Sequence, residues 1–229
     1  MTIELYWGSG STPAWRAQLA LAVKGIPYTS RLLSFSAGDT RKPEFLAINP
    51  RGKVPTLVDG ATVVNESIAI LAYLDRKYPE TPIFGRTPEE AADVWRYVME
   101  FESHGNPAFG AVARPILFNT LAADQGKVIE GLPALVAELD RLASRVAHGT
   151  LVGTTISAAD IVWFCGVQQV VRAATRPAAQ GLDLGLYPLG NRWPALVPWA
   201  ARIEAIPGYI GTMPPHWLES DPPSPRALA

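Results

Sequence analysis

The stretch Ile3 to Trp7 is a short, mainly apolar run stopped by Gly8-Ser9-Gly10, which predicts a buried strand followed by a turn. Pro13 suits a first helical position, with Ser11 or Thr12 before it as the cap. Trp15, Leu19 and Val23 recur at helical spacing until Gly25 ends the helix. Tyr28 to Leu33 returns as a strand, so the opening reads β-α-β, a unit that needs a parallel pair. The polar stretch Ser34 to Asn49 has room for one short helix at Pro43 to Ala47. Thr56 to Val58 and Thr62 to Val64 flank Asp59-Gly60, a strong hairpin signal. A helix follows over Glu66 to Tyr78, with Ile68, Leu71, Ala72 and Leu74 inside and Pro79 closing it.

The pattern then changes. Residues 79–88 hold three prolines and a glycine and read as a linker, separating a first domain over 1–78 from a second over 89–229. Strand signals stop there. Glu89 to Phe118 is helical in period but interrupted at Gly105-Asn106-Pro107, which predicts a kink or a split. Lys127 to His148 predicts another helix with Pro133 near its start, Ser157 to Thr175 a strongly apolar one, and Pro198 to Ile206 a short one. Thr175 to Asn191 is a Pro/Gly-rich connection. The tail from Pro214 to Ala229 holds five prolines and is expected to lie extended along the surface. The fold class is therefore a small α/β layer followed by an all-helical domain.

Composition removes several classes of function. The 229 residues carry a formal net charge of −1, which gives a polyanion nothing to bind, so no nucleic-acid partner is expected. Cys165 is the single cysteine, so no internal disulfide forms. His104, His148 and His216 are scattered, no metal motif is present, and Gly8-Ser9-Gly10 lacks the third glycine of a dinucleotide loop. No run of about 18 apolar residues exists to cross a membrane, and the first residues lack the form of a signal peptide. The cytoplasm is the expected location.

Four segments, in order, carry a resemblance to a known family: Gly8-Ser9-Gly10-Ser11-Thr12-Pro13-Ala14-Trp15-Arg16, Asn49-Pro50-Arg51-Gly52-Lys53-Val54-Pro55-Thr56-Leu57, Val63-Val64-Asn65-Glu66-Ser67, and Ser157-Ala158-Ala159-Asp160. With them the chain resembles the cytosolic glutathione transferases of serine type, over roughly residues 1 to 175. The first loop, Leu32-Leu33-Ser34-Phe35 and Pro214-Pro215-His216-Trp217-Leu218-Glu219 are most similar to the rho class, with zeta and tau as neighbours. The resemblance implies a thioredoxin-like N-terminal domain, an all-α C-terminal domain, glutathione as co-substrate without a metal, a hydrophobic electrophile as second substrate, and a homodimer.

It also implies roles for residues, each beside a plainer reading. Val54-Pro55 is a proline at a strand edge; in the family that peptide bond is cis, and the main chain of the residue before proline pairs with the cysteinyl unit of glutathione. Asn65 or Ser67 reads as a helix cap, with Glu66 as a first-turn acid favourable to the dipole; in the family the same helix mouth takes the γ-glutamyl carboxylate, and Glu66 meets the ammonium. Arg41, Lys42, Arg51 and Lys53 are surface charges, of which Lys53 is the choice for the glycyl carboxylate. Ser11 falls where serine-type members place the hydroxyl that activates the thiol, with Ser9 and Thr12 as alternatives. Thr12 adjoins Pro13 and suits the capping role, which leaves Ser11 free. A thiol with a pKa of about 8.5 needs about 2.7 kcal/mol to shift by two units, a demand that one hydroxyl and a helix N-terminus meet together.

The chain departs from other branches of the family. Trp7 stands where tyrosine-type members carry their phenol, and Tyr6 beside it points to the other face of the sheet. Pro13 and Ala14 stand where thiol-type members need a cysteine. Ser157 to Asp160 has the form of a capping box and reads as structural. The electrophile is expected between the domains, against an apolar wall drawn from Trp7, Phe101, Phe109 and Trp217, with His104 and Arg114 as polar lining. The expected activity is detoxifying transfer of glutathione sulfur to carbon. A glutathione-dependent isomerase or lyase is the first rival, and a non-catalytic binding or regulatory protein on the same fold is the second.

Overall fold

The structure is a computed structural model and describes residues 3–219 and Leu228. The chain divides into two compact units, one joining the chain up to Phe84 with Ile206–Glu219, the other containing Gly85–Ala205.

The first unit is built on four strands, β1 (Ile3–Gly8), β2 (Tyr28–Leu33), β3 (Thr56–Asp59) and β4 (Thr62–Asn65), in the order β2-β1-β3-β4. β1 and β2 are parallel, joined through α1 (Thr12–Val23), and the other pairs are antiparallel. Alternation buries Ile3, Leu5 and Trp7 on one face, and on the other the Tyr6 ring meets Phe45 at 5.8 Å. Phe45 belongs to the short helix α2 (Pro43–Ile48), and α3 (Ser67–Lys77) packs on α1. The β3–β4 turn consists of Gly60 and Ala61, with Asp59 still paired to Thr62. Only Gly60 has positive φ, as a II′ turn requires, so Asp59 belongs to the ladder and not to the turn.

Every residue from Ala14 to Leu21 of α1 is buried, including Arg16 and Gln18. An amphipathic stripe cannot explain that; the end of the chain does. Trp15 donates from Nε1 to Thr212 Oγ1 at 2.9 Å, and its ring lies 6.3 Å from Tyr209 and 5.1 Å, edge-on, from Trp217. Tyr209–Thr212 and Pro215–Glu219 are short helices, so the described part of the tail is folded on α1 and not extended as its prolines suggested. Pro215 sits at a first helical position, where a missing N–H costs nothing.

The second unit is all helical. α4 (Pro88–Glu100) and α5 (Asn106–Leu117) are joined by a π-helical segment, Phe101–Gly105, so the expected break is a widened turn and the chain does not split. Gly105 and Gly166 allow it: a Cβ at either would stand 2.8 and 2.5 Å from the Phe101 ring. α6 (Leu121–Val146) starts six residues before the expected Lys127 and runs through Pro133. Pro133 and Ile129, four residues earlier, are both exposed, so water can serve the carbonyl that the proline leaves without a donor.

α7 (Ala158–Ala174) is buried along almost its whole length. Its capping box forms as expected. Ser157 Oγ accepts from Asp160 N at 3.3 Å, and Asp160 Oδ2 accepts from Ser157 N at 2.9 Å. Asp160 Oδ1 also accepts from Leu151 N and Trp199 Nε1, both at 2.9 Å. The Pro/Gly-rich connection carries two single-turn helices, α8 (Pro177–Gln180) and α9 (Leu189–Arg192), before α10 (Leu196–Glu204); the two short helices of the first unit's tail are α11 and α12.

Candidate active site

Register brings the candidate residues of the first unit to one end of its sheet. Tyr6 pairs with Thr56, and Thr56 pairs with Asn65. Just past that level lie the turn after β1, the residues before β3 and the start of α3. Neighbouring strands are about 4.8 Å apart, so this end spans about 10 Å from β1 to β4, the length of an extended tripeptide.

The turn is Gly8-Ser9-Gly10-Ser11, closed by Ser11 N donating to Gly8 O at 3.1 Å, with Gly10 at φ +85°. Positive φ at the third position is the demand of a type II turn, and glycine meets it without strain. Ser11, not Thr12, caps α1: its Oγ accepts from Ala14 N at 3.3 Å, and Thr12 is already helical. The expectation that capping by Thr12 would leave Ser11 free is thus corrected. The correction does not remove Ser11 from the chemistry, because the bond uses a lone pair and leaves the hydroxyl proton to donate. Ser9 Oγ lies 2.6 Å from His216 Nδ1.

Val54 precedes a cis peptide bond to Pro55. The β3–β4 ladder ends at Thr56 and Asn65, so Val54 stands beyond its last pair. The loop before it is organised by Asn49, which is 1% exposed. Asn49 donates from Nδ2 to Lys53 O at 2.8 Å and to Thr56 Oγ1 at 3.1 Å, and its Oδ1 accepts from Arg51 N at 3.1 Å. Gly52, at φ +59°, lies against Thr40 O, which a Cβ would approach to 2.7 Å. Lys53, Arg51 and Arg41 are exposed, whereas Lys42 is paired with Asp39 at 2.7 Å, which holds the Asp39 carboxyl below its ordinary value.

α3 begins in an unusual way. Its cap residue is Glu66, at φ +66°, and no side chain there accepts from the first turn; neither Asn65 nor Ser67 is the cap. A non-glycine residue in the left-handed region costs about 1–2 kcal/mol, and such positions cluster where a ligand is held. Glu66 is exposed, while Ser67 is buried and its Oγ accepts from Arg16 Nη1 at 3.4 Å. Arg16 thereby ties the openings of α1 and α3 together.

The residues proposed for the electrophile are divided between the two units, and each is described in its own. In the first unit Trp7 is buried with Nε1 donating to Ser30 Oγ at 2.7 Å, and Trp217 is buried on Trp15. In the second unit Phe101 and Phe109 are core side chains, 5.8 Å apart and both stacked edge-on against Trp163. Arg114 is exposed and donates to Asn106 Oδ1 at 3.2 Å. His104 lines a cavity of about 500 Å³ within the helical unit, together with Tyr97, Glu100, Glu138, Arg141 and Arg145, a lining more charged than an apolar wall. Asn49, Arg16 and His216 all stand in quoted segments but were given no site role by the sequence; the bonds of Asn49 inside its loop leave no periodic trace.

A family model described as "Glutathione S-transferase, N-terminal domain" matches residues 10–77. The crystal structure of a glutathione S-transferase from the Antarctic clam Laternula elliptica superposes with a TM-score of 0.80, covering 100% of this chain and 98% of that one at 30% identity. The chain belongs to the glutathione S-transferase superfamily. The glutathione S-transferase A of Pleuronectes platessa is 27% identical over 95% of the chain and 94% of its own length. A probable maleylacetoacetate isomerase of Vibrio cholerae is 29% identical over 93% of the chain and 96% of its own length. The first unit is accordingly the thioredoxin-like domain of this superfamily, and the helical unit is its all-α domain. Among the described residues no group of acidic, histidine or cysteine side chains could hold a metal ion, and no helix is long and apolar enough to cross a membrane.

Proposed function

We propose that this glutathione S-transferase binds glutathione along one end of its four-stranded sheet, ionises the thiol beside Ser11 and transfers the sulfur to a hydrophobic electrophile. The observation that carries the reading is the convergence, within about 10 Å, of a hydroxyl with a free proton, an unpaired strand start and a helix mouth without a side-chain cap.

The γ-glutamyl carboxylate takes the first N–H groups of α3 and the Ser67 hydroxyl, where the helix dipole favours an anion. Glu66, turned outward by its positive φ, accepts from the ammonium. Val54 pairs with the cysteinyl unit as an added strand would. Lys53 meets the glycyl carboxylate, with Arg51 beside it. Ser11 donates to the sulfur while its own oxygen stays fixed by Ala14 N–H, and the N-terminus of α1 adds its partial charge. The protein's work is positioning and charge stabilisation.

The deciding experiment is Ser11→Ala in a conjugation assay, with glutathione binding followed by calorimetry. The reading expects kcat at neutral pH to fall about tenfold, the equivalent of the one pKa unit that Ser11 supplies beside the helix N-terminus, with binding retained. Unchanged turnover would remove Ser11 from the mechanism. A second reading, a glutathione-dependent isomerase, draws support from the Vibrio cholerae relative. The same site serves both, and products separate them: a persistent conjugate supports transfer, and regenerated glutathione supports isomerisation.

A homodimer in the cytoplasm completes the proposal. Trp95 and Met99, one helical turn apart on α4, are 40% and 52% exposed, an apolar pair suited to a second copy of the chain.

A further inference from the structure

We propose that His216 is the base that receives the thiol proton of bound glutathione, with Ser9 as the hydroxyl through which the proton passes. The inference rests on the glutathione reading above and adds a second function to the turn after β1.

Ser9 and Ser11 are the second and fourth residues of one four-residue turn, whose ends lie less than about 7 Å apart. The proposal places a sulfur held by Ser11 within reach of the Ser9 hydroxyl of the same turn. The two hydroxyls have different partners. Ser11 Oγ accepts a backbone N–H and is set to donate. Ser9 Oγ is 2.6 Å from His216 Nδ1, and in the tautomer with Nδ1 unprotonated the imidazole accepts a hydrogen bond from the Ser9 hydroxyl. One hydroxyl is arranged to stabilise an anion, and the other to carry a proton away.

The imidazole is not there by surface accident. It is supplied from 207 residues along the chain. Its neighbour Trp217 is 5% exposed and seated edge-on against Trp15, and Trp15 is in turn bonded to Thr212. Trp15 lies one helical turn beyond Ser11. The packing that fixes the start of α1 thus fixes His216 as well.

The step balances. The S–H bond breaks and leaves its electron pair on sulfur. The proton joins Ser9 Oγ as the Ser9 proton moves to His216 Nδ1, giving a thiolate, a neutral serine and an imidazolium. An imidazole with a pKa of about 6.5 cannot by itself deprotonate a thiol of about 8.5, being short a hundredfold. Stabilisation of the thiolate by two units at Ser11 and the mouth of α1 makes the transfer nearly level, and the thiolate so formed favours the charged imidazolium in turn, so that the proton is kept at neutral pH. In an addition, the proton returns by the same path to the carbon beside the new C–S bond.

The test uses the full chain and the variants His216→Asn and Ser9→Ala. Glutathione is titrated at neutral pH in two buffers of different ionisation enthalpy, and thiolate is followed by its ultraviolet absorbance. The proposal expects the wild-type protein to form thiolate while releasing much less than one proton per thiolate to the buffer. Each variant should release close to one, and should form thiolate about a hundredfold more slowly. Full proton release by the wild-type protein, or retention unchanged in both variants, overturns the proposal and leaves glutathione binding standing. If one variant does not fold, the other decides. Absence of saturable binding by the wild-type protein would overturn the glutathione reading itself, and this inference with it.

Discussion

At the scale of single residues, the first turn and the cap of α3 carry the chemistry, and both were only partly legible in the sequence. A Ser-Thr-Pro run permits either hydroxyl to cap, because proline is tolerated at the first or second helical position. The helix takes Ser11, since Pro13 then stands second and Ala14 N–H reaches the Ser11 oxygen. Glu66 read as a first-turn acid, and its positive φ had no signature because glutamate is not a residue that favours that region. Since Glu66 makes no cap bond, Glu66→Gln is expected to leave the thermal midpoint unchanged and to raise the Kd for glutathione about tenfold, the cost of a charge-assisted bond to the ammonium. Calorimetry on folded protein checks it, and equal affinities would remove Glu66 from the site. Asn49→Ala should weaken binding without touching any ligand atom, because Lys53 O and Arg51 N lose the side chain that orders their loop.

At the scale of elements, the first unit was nearly complete in the pattern. Period-2 and helical runs, separated by Gly8-Ser9-Gly10, Gly25, Gly60 and Pro79, correspond to β1 through α3 within a residue or two. The helical unit was less so, because Pro133 marks the start of a helix in a one-dimensional reading and merely costs one exposed bond in α6. The buried capping box at α7 is a fold element with no part in catalysis. Burial pushes the Asp160 carboxyl up, against the four groups that bond to it. Asp160→Ala leaves those groups buried without an acceptor, and is expected to cost about 3 kcal/mol or more in denaturant unfolding. A loss below about 1 kcal/mol would contradict the structural role.

The hairpin gives a pH test. Lys77 and Tyr73 both bond Asp59 and hold its carboxyl below the ordinary carboxylate value. A depressed folded-state pKa adds stability that is present above the unfolded value of about 3.9 and is lost as pH falls through the folded one. Asp59→Asn should therefore flatten the acid limb of stability against pH between about pH 5 and pH 2, as read by urea midpoints. An acid limb of the same slope would exclude Asp59 as its source.

For the whole molecule, long-range return of the chain is what no local pattern could announce. Trp15 buries its indole against Tyr209, Thr212 and Trp217, so the first unit is finished only by residues near the other end of the sequence. The tail's prolines argued for an extended course; in its described part the structure uses Pro215 to start a short helix whose Trp217 is buried, and the prolines beyond Glu219 lie outside the described residues. Self-association belongs to this scale too. Replacing Trp95 and Met99 together by glutamate is expected to convert a dimer to a monomer in sedimentation equilibrium, because the change puts two like charges on the exposed part of α4 that the second copy would cover.

The central claim is that a thiol bound at this end of the sheet ionises because of Ser11. The most direct measurement is the ultraviolet absorbance of thiolate in the glutathione complex across pH, for the wild-type protein and for Ser11→Ala. The account predicts a bound thiol pKa about two units below 8.5, returning toward 8.5 in the variant. An identical titration in the two proteins, or a wild-type value at the free thiol's, would contradict it.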